Sequence, residues 1–157
     1  MKLQNQFDDK QWQDELKYAN RVFNQGKKAS SVRYYQAAID IAMQLFSEFK
    51  KSQTLPDALT PVLVVSYLNL ADCWGAQNKK TKQILCLIEI YDLLKVVLND
   101  YSISQALSRQ VYDGVNKVFI ELCLCFKAID AQQELLKTQE DFAELTLLYQ
   151  SQLCTVH

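Results

Sequence analysis

The sequence predicts an all-α protein built from stacked pairs of long antiparallel helices. Three observations carry this expectation. The 157 residues include three Gly and two Pro, too few of the punctuating residues that a β-rich chain needs. Apolar side chains recur at helical spacing over most of the length. The stretch Tyr18 to Ile39, YANRVFNQGKKASSVRYYQAAI, reads as two helices folded back on each other at Gly26, a residue free to take the left-handed conformation that ends a helix.

The elements follow in order. Met1 to about Lys10 is polar and expected to fray until Asp8 or Asp9 caps the first helix, which runs to about Gln25. The second helix carries a broad stripe of Val32, Tyr35, Ala38, Ile39, Ala42, Met43, Phe46 and Phe49, and continues to about Lys51. Ser52 to Pro56 breaks it. Pro56 and Pro61 place the next helix start around Asp57 or Thr60, since proline is tolerated in a first turn and not deeper. A helix from about Ala131 to Leu153 closes the chain. It sets Leu135, Leu136, Phe142, Leu145, Tyr149 and Leu153 against Glu134, Lys137, Glu140, Asp141 and Glu144, and its polar outer face suits the end of a stack.

The pattern of the first pair returns twice at an offset of 52 residues. Tyr18, Ala19, Val22 and Gly26 become Leu70, Ala71, Trp74 and Asn78, then Leu122, Cys123, Phe126 and Asp130. On the second helices Tyr35 becomes Leu87 and Gln139, and Ala38 becomes Ile90 and Phe142. A small residue after a large one, a turn glycine, and Tyr35 three residues before Ala38 together resemble the tetratricopeptide repeat. The family period is roughly 34 residues, so the longer spacing here implies helices extended by about two turns each and a flatter stack. The expected architecture is a single tetratricopeptide-like domain over residues 1–157, with αα-hairpins at about 9–51, 57–99 and 103–153.

Composition bounds the function. Hydrophobic residues make up 49% and charged residues 22%, which is ordinary for a folded domain and unlike a disordered chain. A net charge of −1 advertises neither nucleic acid nor an acidic membrane. The charge is uneven, with seven basic against two acidic residues over 17–51 and four against seven over 101–157. Five cysteines without a framework of spacings, and an opening MKLQNQFDD without an apolar signal region, point to a reducing, cytoplasmic location. The most apolar stretch, Ile84 to Leu98, is too short to span a membrane and is interrupted by Glu89, Asp92 and Lys95.

Catalytic chemistry is not visible in the sequence. The sole histidine is the last residue, His157, and no glycine-rich phosphate loop, nucleophile elbow or paired carboxylate motif occurs. Cys123 and Cys125 are about 200° apart around a helix, so they cannot share a metal. Cys73, Cys86 and Cys123 lie on or beside apolar stripes as small core residues. Lys27, Lys28, Lys79, Lys80 and Lys82 fall at equivalent turns one period apart, with Arg33 nearby. Lysines there complement helix dipoles, and no aromatic residues interleave with them as single-strand binding requires.

The family resemblance implies a binding surface. First helices of tetratricopeptide repeats line a concave groove, which nominates Gln13, Leu16, Asn20, Phe23 and Asn24, then Leu68, Asp72 and Ala76, then Lys117, Ile120, Leu124 and Lys127. Of the family's carboxylate clamp only Asn20 matches, while Leu16 and Asp72 stand where clamp residues would be. The groove left is apolar with a polar rim and suits an amphipathic helix or an extended peptide. The expected function is a non-catalytic adaptor or chaperone-like binder of a protein or peptide, without cofactor or metal. A self-associating structural protein is the alternative, and a phosphate- or nucleic-acid-binding regulator using the lysine edge is a third reading.

Overall fold

The computed structural model describes residues 9–52, 59–100 and 103–155, with side chains over 11–48, 60–100 and 103–155. Its elements are α1 (Asp9–Asn24), α2 (Lys28–Ser52), α3 (Leu59–Ala76), α4 (Lys80–Leu98), α5 (Gln105–Ala128) and α6 (Gln132–Cys154), and no strand occurs among the described residues. The protein is all-α. Pro61 falls in the first turn of α3, where its missing N–H is an unused donor in any helix. Ser104 caps α5, its hydroxyl accepting from the Leu107 N–H at 3.2 Å. The polar start, the Asp8 cap, the loop around Pro56 and Asp57, and His157 lie outside the described residues.

Three turns share one geometry, 52 residues apart. Gly26, Asn78 and Asp130 take positive φ of 76°, 58° and 56°. Around Gly26, the Lys27 N–H donates to the Val22 carbonyl at 3.2 Å and the Gly26 N–H to Phe23 at 2.9 Å. The same pair of bonds runs from Lys79 to Trp74 and Asn78 to Gly75, and from Ala131 to Phe126 and Asp130 to Lys127. This is the Schellman closure, which satisfies the last carbonyls of a helix. Glycine adopts it without steric cost, and Asn and Asp are the side chains that tolerate it next best.

The chain divides into two compact units, Met1–Gln83 and Ile84–His157, and the division falls within α4. In the first unit α1 packs on α2 and α2 on α3. Trp12, Ala19 and Val22 of α1, Tyr35, Ala38, Ile39, Ala42 and Phe46 of α2, and Leu63, Val64, Tyr67, Leu70 and Ala71 of α3 are buried. Ala19 is fully buried, and its size allows the close approach of neighbouring backbones. Tyr18, expected to pack between helices beside it, is instead 42% exposed. Its ring leans edge-on against Tyr34, with centroids 4.4 Å apart.

A polar cluster ties these helices together. The buried Tyr35 hydroxyl donates to Asn20 Oδ1 at 2.5 Å, and Asn69 Nδ2 donates to the same oxygen at 3.3 Å. Nearby, the Ser31 hydroxyl donates to the Lys28 carbonyl at 2.7 Å and lies 3.0 Å from Cys73 Sγ. With the hydroxyl proton so engaged, the thiol donates to Ser31. Burial pushes the Cys73 thiol above its ordinary pKa, so it stays protonated.

Burial likewise pushes the Tyr35 hydroxyl from 10.0 to about 12. The unfolded chain therefore releases this proton before the folded chain does. The associated stability is fully present below about pH 10 and is lost as the pH rises towards 12. Denaturant unfolding across pH 9–12 is expected to show a steeper alkaline loss in the wild type than in Tyr35→Phe. Identical profiles would contradict the buried hydroxyl.

In the second unit the buried apolar residues include Leu87, Ile90, Leu94 and Leu98 of α4, Val111, Val115, Val118, Leu122 and Phe126 of α5, and Leu135, Leu145 and Tyr149 of α6. Helices α5 and α6 pack through nearly parallel rings: Tyr112 on Tyr149 at 4.2 Å and Phe119 on Phe142 at 4.0 Å. Helix α6 also meets α4. Tyr91 donates its hydroxyl to Asp141 Oδ2 at 2.7 Å, and the Lys95 ammonium reaches Asp141 Oδ1 at 2.6 Å. Asp141, placed by the sequence on an acidic outer face, is thus a tether between helices. Its carboxylate satisfies both the hydroxyl and the charge, the arrangement that makes partly buried ions tolerable.

Candidate functional site

The nominated residues of the first unit divide by character. Gln13, Asn24, Asp72 and Ala76 are exposed, while Leu16, Asn20, Phe23 and Leu68 are half-buried. Asn20 uses its side-chain oxygen for Tyr35 and Asn69. Phe23 rests edge-on against Tyr35, with centroids 6.2 Å apart, and carries the Lys28 ammonium 5.1 Å from its ring. Phe23 therefore spends much of its surface on its own unit. Partial desolvation raises the Asp72 carboxyl above its ordinary pKa, with Lys28 pulling the other way.

The nominated residues of the second unit form one uninterrupted face. Lys117, Ile120, Leu124 and Lys127 are all exposed, Ile120 by 49% and Leu124 by 55%. Ile120 and Leu124 are one turn apart, on the side of α5 opposite the buried Val111, Val115, Val118 and Leu122. Lys117 and Lys127 flank them, about 15 Å apart along the axis. Neither ammonium forms an ion pair among the described residues. The face is a short apolar ridge between two free cations.

Two features escaped the sequence reading. Aromatic rings do lie beneath the basic residues of the first unit: Lys79 and Lys82 sit 5.2 and 4.5 Å from the Trp74 ring, Arg33 4.9 Å from Tyr34, and Arg21 5.8 Å from Tyr18. Arg33 also donates to the Tyr34 hydroxyl at 2.8 Å, which lowers that hydroxyl's pKa. The readable signal was Lys five residues after an aromatic across the turn, as in Trp74 to Lys79, where the Schellman bond joins the two residues directly, and Phe23 to Lys28, one residue further on. Cation–π contacts of this kind are worth about 0.5–1 kcal/mol at exposed sites. The second feature is on α6. Leu136, expected on the apolar inner face, is 57% exposed, and Leu147 is 67% exposed. Eleven residues make nearly three whole turns, so both stand on the outer side with the exposed Glu140 and Glu144 between them.

Cys73, Cys86 and Cys123 are buried, Cys125 is half-buried and Cys154 is exposed, all as free thiols. Among the described residues no group of three or more His, Cys, Asp or Glu is placed to hold a metal ion, and no helix is long and apolar enough to cross a membrane. With six helices and no strand among the described residues, the protein falls in the all-α class. Within that class, the chain belongs to the family described as "Protein of unknown function (DUF2753)", whose model matches residues 10–151. No curated protein and no solved structure matches it.

Proposed function

We propose that this chain is a cytoplasmic, non-catalytic protein-binding module of tetratricopeptide-like design, and that the outer face of α5 is its recognition surface. The stacking of three long αα-hairpins is part of this reading. Its support is the repeated Schellman turn at Gly26, Asn78 and Asp130 and the packing of α1 on α2 and of α5 on α6.

One observation carries the functional reading: two large aliphatic side chains, Ile120 and Leu124, stand half-exposed on the side of α5 opposite its buried residues. Ile120 and Leu124 lie one turn apart on one face, and contiguous exposed apolar surface is a feature of interaction sites. Lys117 and Lys127 at its ends fix the orientation of an incoming helix or peptide by charge.

Replacing Leu124 with Glu tests it. An exposed side chain contributes little to stability, so the melting temperature is expected to stay within a few degrees of the wild type. Capture of bound polypeptide by the immobilised chain is expected to be lost, because the substitution buries an unpaired charge. Unfolding of the variant, or undiminished capture, would overturn the assignment. The phosphate or nucleic-acid reading draws on the cation-rich start of α4, where Asn78, Lys79, Lys80, Thr81 and Lys82 line a shallow open depression. Two of those lysines are already laid on Trp74, which makes it the weaker reading.

A further inference from the structure

We infer that the occupant of the α5 face is the outer face of α6 from a second copy of this chain. The inference rests on the recognition-surface reading above and adds the identity of the partner. Both helices place two exposed aliphatic residues opposite their buried sides: Ile120 and Leu124 on α5, Leu136 and Leu147 on α6.

The charges around them are complementary. On α5 the apolar pair lies inside and Lys117 and Lys127 lie outside; on α6 the order is inverted, with Glu140 and Glu144 inside and the leucines outside. Laid antiparallel, α6 sets Leu147 between Ile120 and Leu124. At about 1.5 Å of rise per residue, Lys127 then falls between Glu144 and Glu140. Leu147 thus meets Ile120 and Leu124, and the central carboxylates meet Lys127, while Leu136 extends past the end of α5 and Lys117 lies opposite Gln152. None of Lys117, Lys127, Glu140 and Glu144 is engaged in an ion pair among the described residues. Two ridges of this size make a small interface, so the association is weak, fast and weakened by salt, as charge-assisted transient contacts are.

The test is a charge exchange on the full chain, read by sedimentation equilibrium from about 1 μM to 1 mM, the range in which a small interface is populated. Five samples are compared: wild type, the double variants K117E/K127E, E140K/E144K and K117Q/K127Q, and an equal mixture of the two charge-reversed variants. The wild type is expected to associate, and each variant alone to associate roughly tenfold or more weakly, since like charges then face each other. Mixed in equal amounts, the two variants are expected to recover wild-type association, because acidic α5 then meets basic α6 and basic α5 meets acidic α6. The neutral pair K117Q/K127Q is expected to fall between wild type and reversed charge, and all variants should keep the wild-type melting temperature. A wild type that stays monomeric throughout the range overturns the second-copy inference, while the capture experiment on Leu124→Glu still decides whether α5 binds another protein. Variants that associate as the wild type does, or a mixture that fails to recover, also overturn it.

Discussion

Ending the chain after Asp130 is expected to abolish cooperative unfolding of the second unit. The loss follows from what α6 covers. Leu135, Leu145 and Tyr149 are buried, and each contributes roughly 1.5–3 kcal/mol through apolar area removed from water. The sum approaches the whole stability of a typical domain, about 5–15 kcal/mol. Removal of α6 also takes Asp141 from Tyr91 and Lys95, and uncovers the rings of Tyr112 and Phe119 that stack on Tyr149 and Phe142. Burial and the bond to Asp141 both raise the Tyr91 hydroxyl well above its ordinary pKa, the mark of a hydroxyl held in its neutral, donating form. Circular dichroism melts of the truncated chain should show a broad, low-temperature transition for residues 84–130. An undiminished, sharp transition would mean that α4 and α5 sustain a core alone.

Replacing Asn20 with Leu is expected to destabilise the first unit by about 1–3 kcal/mol, the cost of leaving a buried hydroxyl without its acceptor. The donor at risk is Tyr35, whose side chain is fully buried. A double-mutant cycle isolates the effect. Tyr35→Phe should cost much less in an Asn20→Leu background than in the wild type, because the bond is already absent, and the coupling should fall in the range of about 0.5–3 kcal/mol seen for contacting pairs. Strict additivity would show that Asn20 and Tyr35 do not share this bond. The same cycle separates two roles for Asn20. As a groove residue it would affect capture and leave stability alone; as the acceptor for Tyr35 it does the reverse.

Much of the helical framework is legible in the sequence. The period of 52 residues was visible because turns are set by local chemistry: only Gly, Asn or Asp sits easily at positive φ, and the sequence offers one at 26, 78 and 130. Helix ends were placed within a residue or two for the same reason. The site was less legible, because exposure depends on which of several apolar stripes a helix turns inward. Tyr18 and Leu136 continue such stripes and still face outward, since the neighbouring Ala19 and Leu135 take the buried positions. Asn20 has the composition of a groove residue, and long-range partners on α2 and α3 draw it into a structural bond. Nothing local announces a contact 15 or 49 residues away. On α5 one stripe is buried and its opposite face carries the nominated Lys117, Ile120, Leu124 and Lys127 together, because helical periodicity alone decides which residues share a side.

The central claim, that the outer face of α5 is where this protein meets another polypeptide, is tested most directly by site-specific photocrosslinking in living cells. A photoreactive side chain at position 124 reports what lies against α5, and one at position 80, among the lysines of the first unit, serves as the comparison. The account predicts an adduct from position 124 and none from position 80, with an adduct of two copies of this chain identifying the partner. Crosslinking from position 80 alone, with position 124 silent, would contradict it.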